Sequence, residues 1–356
     1  MTLSTRIAAH TDVATTLSLL SDGELAELLA GGKPFGTGIG GRSAIVDVDG
    51  RQVFVKYVRL TDVERHTDHL RSTANLFDLP PYFHYGIGSP GLGAWRELAA
   101  HRMTTNWVFS GRFPGFPLLH HWRALPDTPG PLPELLADVE RTVAYWGGAP
   151  QVEHRIEALR TATASLVLFL EYVPYTVDDW YAARLRGDAA DSACEFVEAG
   201  LEALTAFLHE HRLLHLDAHF HNILTDGTRL YLSDFGLALS DRFRLTVRER
   251  EFFGRHRGYD RAYTVTHLVN WLVNALYTYD LEERRAFVRA CAEGARPEGV
   301  PAAAAALLTR HAPIAARLNA FHDRLRKESR LTPYPYEELQ GVGDSLTHSV
   351  HSMRSA

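Results

Sequence analysis

One stretch of this chain constrains its fold more than any other: residues 215–236, HLDAHFHNILTDGTRLYLSDFG. Ile223-Leu224 and Leu230-Tyr231-Leu232 are short apolar runs on either side of Asp226-Gly227. Asp-Gly suits a tight hairpin turn, because both residues tolerate positive φ. The segment therefore reads as two short strands, with Asp217 and Asn222 on a loop before the first and Asp234 on a loop after the second. His215, Asp217 and Asn222 form H-x-D-x-x-x-x-N, and Asp234-Phe235-Gly236 follows twelve residues past Asn222. Two carboxylates and an amide presented this way suit phosphoryl transfer from ATP. One carboxylate orients the attacking hydroxyl, while the amide oxygen and the other carboxylate hold Mg²⁺ on the phosphates.

Further elements lead into this segment. Ser21 and Glu24 in SDGELAELLA fit a capping box and Gly31-Gly32 a stop, so residues 21–30 read as a helix. Alternation around Ile45-Val46-Asp47-Val48 and Gln52-Val53-Phe54-Val55 predicts two strands turning at Asp49-Gly50. Gly36, Gly38 and Gly41 make G-x-G-x-x-G in the loop before the first of these strands. A dinucleotide-binding fold requires a helix after such glycines. Here a hairpin follows, so a glycine flap over ATP phosphates fits better, since small residues let backbone amides approach phosphate oxygens. Gly38-x-Gly40-x-x-Ser43 is a second possible register. Downstream, ASLVLFLEYVP reads as a buried strand, and Thr176 with Asp179 caps a helix. A long amphipathic helix spans about 192–211, with Val197, Leu201, Leu204 and Leu208 on one face. Beyond Asp260 the pattern is helical throughout.

From about residue 35 to 280 these motifs, in this order, resemble the protein-kinase superfamily. The resemblance implies an α+β, two-lobed protein-kinase-like fold, with an antiparallel-sheet N-lobe carrying helical insertions and a mostly α-helical C-lobe. Its boundaries would be a helical extension over 1–34, an N-lobe over 35–172 with insertions near 61–93 and 126–161, a C-lobe over 173–335, and a flexible tail over 336–356. By the same resemblance Asp217 is the catalytic base or hydroxyl-orienting group, and Asn222 and Asp234 bind Mg²⁺. Lys56, ending Val53-Phe54-Val55-Lys56, contacts the α and β phosphates, and His215 braces the catalytic loop from within the core. Gly36, Gly38 and Gly41 cover the phosphates. In the hinge Glu171-Tyr172-Val173-Pro174, the Glu171 carbonyl and Val173 amide bond the adenine edge, because Pro174 has no N–H to offer. Lys56 also needs a helix glutamate. Glu64 lies only eight residues past it, which is tight, so Glu97 in GAWRELAAHRM is preferred.

Two departures bear on the acceptor. His219 stands two residues after Asp217, where serine/threonine kinases usually carry lysine; H-x-D-x-H-x-x-N resembles aminoglycoside and choline kinases, although haspin-like protein kinases share the histidine. No A-P-E follows Gly236, and LALSDRFRLTVREREFFGRHRG is too short for a full activation segment. Both favour a small hydroxyl-bearing acceptor such as an antibiotic or biosynthetic intermediate. The intact D-F-G and V-F-V-K lean towards a protein or peptide acceptor, and a nucleotide-binding pseudokinase is a third reading.

Arg242, Arg244, Arg248, Arg250, Arg255, Arg257 and Arg261, partly offset by Glu249, Glu251 and Asp260, form either a solvated face or an anion-binding wall beside the acceptor. His209, His211, His215, His219 and His221 lack the closely spaced cysteine or carboxylate partners of a zinc site. A net charge of −6 argues against a nucleic-acid partner. The longest apolar run, 166–170, is far too short to span a bilayer, and the N-terminus lacks the basic start and apolar core of a secretory signal. Cys194 and Cys291 read as packed thiols in a reducing cytoplasm.

Overall fold

A computed structural model describes residues 1–39 and 41–340. Gly40, one alternative in the glycine motif, and the expected tail beyond residue 340 lie outside the described residues. The chain divides into two compact units: residues 1–174 with 231–250, and residues 175–230 with 251 onward.

The first unit is built on a five-stranded antiparallel sheet of β1 (Lys33–Gly38), β2 (Gly41–Val48), β3 (Arg51–Leu60), β4 (Leu119–Pro126) and β5 (Ala164–Glu171), in the order β1-β2-β3-β5-β4. Asp49 and Gly50 join β2 to β3 at φ 53° and 75°, the left-handed pair that a two-residue hairpin demands. β5 is apolar at nearly every position because both its faces are covered. On one face Val53, Val55, Val167 and Phe169 pack with Val13 and Leu17 of α1 (Leu3–Leu19) and Leu25 of α2 (Asp22–Ala30). On the other, Val58, Leu60, Leu166 and Leu168 pack with Trp95 and Leu98 of a later helix over Ala94–Phe109.

Residues 1–34, expected as a helical extension, form α1, α2 and the start of β1, and Val13, Leu17 and Leu25 join this unit's core. Arg6 of α1 is 1% exposed. It survives burial because its fork is fully used: Nε and Nη2 donate to the Glu171 carboxylate at 2.8 and 2.7 Å, and Nη1 and Nη2 to the carbonyls of Pro114 and Phe116.

The glycine motif corrects an expectation. Gly36 and Gly38 lie inside β1 and Gly41 begins β2, with Gly38 paired to Gly41, so the glycines form a strand–turn–strand and not a loop ahead of the sheet. β1 tolerates Pro34 because it is an edge strand. Gly41 has φ 132°, and a Cβ there would stand 2.0 Å from the Tyr57 carbonyl, so no other residue fits. Of the insertions, 61–93 holds only one short α-helix, α3 (Asp62–Arg65), before α4 (Ala94–Phe109). The segment to residue 160 forms α5 (Glu134–Ala137), α6 (Val139–Tyr145) and α7 (Pro150–Arg160), broken at Asp138 and at Gly147-Gly148.

The second unit is mostly helical: β6 (Tyr175–Thr176), α8 (Val177–Ala182), α9 (Ala190–Glu210), β7 (Leu213–Leu214) and β8 (Ile223–Thr225) precede the crossing strand β9 (Leu230–Leu232). The chain then passes through β10 (Leu239–Ser240) and α10 (Val247–Arg255) to α11 (Tyr259–Leu276), α12 (Leu281–Ala292) and α13 (Ala302–Lys327). α13 continues through Pro313 as one helix. The Asp226-Gly227 turn differs from the tight hairpin expected. Gly227 alone has positive φ, and Asp226 acts through its side chain, with Oδ1 accepting from the Thr228 and Arg229 amides at 2.9 and 3.2 Å. Residues 336–340, expected to begin a loose tail, are helical, and Leu339 is buried. Among the described residues no helix is long and apolar enough to cross a membrane. The architecture is α+β, with the antiparallel sheet towards the N-terminus and helices dominating the C-terminal part.

Candidate functional site

The residues singled out from the sequence fall into two groups, one in each unit. In the first, Lys56 leaves β3 on the same face as Val58 and Leu60 and meets two carboxylates. Its Nζ lies 2.7 Å from Glu97 Oε1 and 2.7 Å from Asp234 Oδ1. Burial works against the charge on Lys56, but Asp234 and Glu97 outweigh it and hold the ammonium protonated. Burial pushes the Glu97 carboxyl up, with Lys56 opposing. One ammonium between two carboxylates leaves a residual negative charge in a site where Glu97 is buried and the Asp234 side chain is 42% exposed. Such a charge is costly unless a cation joins it, and Asp234 is placed to offer carboxylate oxygen to a hard divalent ion.

Glu64 has a different task from the one considered for it. Its Oε1 accepts the Ala94 N–H at 2.7 Å and so satisfies the start of α4, while Oε2 takes Arg155 at 3.1 Å and the Thr61 N–H at 3.0 Å. The glutamate that lost Lys56 thus anchors the helix that carries Glu97. Asp234 has φ 61°, an uncommon conformation for a residue with a side chain. Oδ1 also accepts the Gly236 N–H at 3.3 Å, and the buried Phe235 ring stands edge-on to His101 of α4, with centroids 5.0 Å apart. At the end of β5, Arg6 and the Leu118 N–H hold the Glu171 carboxylate, and the half-buried Val173 N–H has no acceptor among the described residues.

In the second unit, Asp217 and Asn222 sit on a loop closed by consecutive turns, with Asn222 N donating to the His219 carbonyl at 2.9 Å. Asn222 Nδ2 donates to the Asp217 carbonyl at 2.9 Å, and of its two side-chain polar atoms Oδ1 is the one whose chemistry suits a cation. His215 is fully buried, and its Nδ1 accepts the Asp217 N–H at 3.2 Å, which places its own proton on Nε2. Leu216 has φ 67°, a genuine strain for a bulky residue.

Asp260, the second residue of α11, holds that conformation. Its two oxygens accept the His215 and Leu216 N–H groups at 2.8 Å each. Sequence gave no sign of this role, because Asp260 lies 45 residues from His215 and no local pattern links them. Tyr263, one turn further along α11, was also missed. Burial and the neighbouring Asp217, which its hydroxyl reaches, push its phenol well above the usual range. His219 Nε2 lies 3.7 Å from Asp217 Oδ2, and burial followed by His219, His221 and Arg284 holds His267 down at about 3.

Burial raises the Asp260 carboxyl to about 6, against the pull of its two backbone hydrogen bonds. The folded protein thus binds this proton more tightly than the unfolded chain does, and the group's contribution to stability falls as pH rises from about 4 to 6. We expect the stability advantage of the wild type over Asp260→Asn to shrink by up to about 3 kcal/mol between pH 4 and pH 7. Urea unfolding of both proteins across that range measures it, and a constant difference would contradict the assignment.

The arginines at 242, 244, 248, 250, 255, 257 and 261 are all exposed. Two acidic residues expected to offset them are committed elsewhere: Asp260 to the His215 and Leu216 N–H groups, and Glu249 to buried Arg96 at 2.7 Å. Among the described residues no group of three or more His, Cys, Asp or Glu side chains is arranged to hold a metal ion. No protein-family model matches this chain, and no curated protein matches it.

Proposed function

We propose that this protein is a cytoplasmic Mg²⁺-ATP-dependent phosphotransferase of protein-kinase-like fold, acting on a hydroxyl of a small molecule. The observation that carries this reading is the Lys56 ammonium held at 2.7 Å from both Glu97 and Asp234. A lysine held rigid and charged by a helix glutamate and the D-F-G aspartate is what orienting the α and β phosphates of ATP requires. Asp217 accepts the hydroxyl proton, with Asn222 fixing its backbone and the Tyr263 hydroxyl its carboxylate. Asn222 and Asp234 would hold Mg²⁺, which supplies charge neutralisation at the phosphates. The Val173 N–H is the donor for the adenine edge, and the glycine hairpin supplies backbone amides for the phosphates. Most of the acceleration would come from positioning and electrostatics, because the loose transition state needs little covalent assistance.

The test is transfer of label from γ-labelled ATP with Mg²⁺ and a cell extract, with products separated by size. Magnesium-dependent label in the small-molecule fraction supports the proposal. Label on macromolecules would move the acceptor to a protein or peptide. No transfer to either, with ATP bound, would leave a nucleotide-binding pseudokinase.

A further inference from the structure

Each unit holds a cavity. In the first unit, about 280 Å³ lies between the glycine hairpin and the proline-rich loop at 129–133. Three arginines line it, and all are committed: Arg42 to Asp127, Arg59 to backbone carbonyls, and Arg155 to Glu64. That cavity has no unused charge to offer a ligand.

The second unit differs. Over the first turn of α11 lies a cavity of about 510 Å³, walled by α9, α11, α13 and the helical segment at 336–340. Arg257 and Arg261 line it, and neither guanidinium has an acceptor among the described residues. Tyr334 and Tyr336 contribute aromatic surface and Leu339 apolar surface, while Glu202 is the acidic side chain on the α9 wall. Tyr334 is held rigidly by stacking on His256, with ring centroids 4.5 Å apart.

We propose that this cavity is a binding site for a small organic anion, with a phosphate, carboxylate or sulfonate group on an aromatic or apolar body, separate from the Asp217 loop. Two uncommitted guanidiniums at one concavity match such an acidic group. The tyrosine rings offer faces for the body of the ligand. The volume lies within the range of small-molecule sites, roughly 300–1,000 Å³. The site is also coupled to the loop beside it. Asp260 is part of the cavity's lining and holds the backbone of His215 and Leu216 through both oxygens. A ligand clamped by Arg257 and Arg261 on either side of Asp260 rigidifies this turn, and with it the strained Leu216 backbone.

The probe is 8-anilinonaphthalene-1-sulfonate, an aromatic anion whose fluorescence reports binding, titrated into the full chain with and without Arg257→Gln/Arg261→Gln. Saturable binding at one site, weakened at least about tenfold in the double variant, is the expected result. Slower hydrogen exchange at the Leu216 amide on binding is expected with it. Both arginines are exposed and form no ion pair among the described residues, so the variant leaves the core untouched. Equal affinity in the two proteins, unsaturable binding, or unchanged Leu216 exchange would each overturn the proposal. None of these readouts involves ATP or phosphoryl transfer, so they stand or fall independently of the proposed reaction.

Discussion

Asp217→Asn is expected to lower kcat for phosphoryl transfer about 10³-fold, within the range that general-base removal produces, while ATP binding and thermal stability stay close to wild type. The reason for so specific a loss is geometric. Asparagine keeps the shape of aspartate, so the backbone pattern survives: Asp217 N to His215 Nδ1 at 3.2 Å and Asn222 Nδ2 to the residue 217 carbonyl at 2.9 Å. Its amide oxygen can still accept from the Tyr263 hydroxyl. What disappears is a group able to take a proton and a negative charge to orient the acceptor. Steady-state kinetics on the labelled small-molecule product measures the first effect, and ATP-binding calorimetry with a melting curve the second. A variant retaining more than a tenth of wild-type kcat would remove Asp217 from the chemistry. Parallel loss of ATP binding and stability would instead make Asp217 a structural residue.

The largest expected effect on stability lies away from those residues. Arg96 of α4 and Glu249 of α10 meet at 2.7 Å with side chains 2% and 1% exposed. Arg96 Nε also donates to the Thr73 carbonyl at 2.8 Å, and Glu249 Oε2 accepts the Thr246 N–H at 2.9 Å as half of a capping box at the start of α10. Burial works against the Glu249 charge, but His84 and Arg96 outweigh it and hold the carboxyl down at about 2. Arg96→Met leaves that carboxylate buried without its partner and should cost about 3 kcal/mol. Arg96→Met/Glu249→Gln removes the stranded charge but keeps an acceptor for the Thr246 N–H, so it should recover most of the loss. Urea denaturation of wild type, both single variants and the double variant closes the cycle. If the double variant is no more stable than Arg96→Met, the damage comes from lost packing and not from an isolated charge. The pH dependence carries its own sign. Because the folded carboxyl is held down, its contribution is present above about 4.5 and is lost as pH falls towards 2.

What could be read from the sequence is what short-range physics decides. The Ser21–Glu24 box, the Thr176 cap, the Asp49-Gly50 turn and the mostly apolar β5 are each set within a few residues, by hydrogen bonds or by burial period. The Asp226 turn was misread in detail because a side chain accepting backbone N–H groups competes with a positive-φ hairpin, and both have the same dipeptide. β1 was missed because KPFGTG has little β propensity and pairs at a sheet edge through its backbone.

By itself the sequence determined which residues are chemically able to act and which faces are buried. Only the tertiary structure decided the partners. Lys56 lies 178 residues from Asp234, Arg6 lies 165 from Glu171, and Asp260 lies 45 from His215. Glu64 and Glu97 are alike as glutamates near a helix, and packing alone assigns one to the α4 N-terminus and the other to Lys56. Periodicity reports that a side chain points inward but not what it meets there, because each such pairing depends on how whole elements pack together.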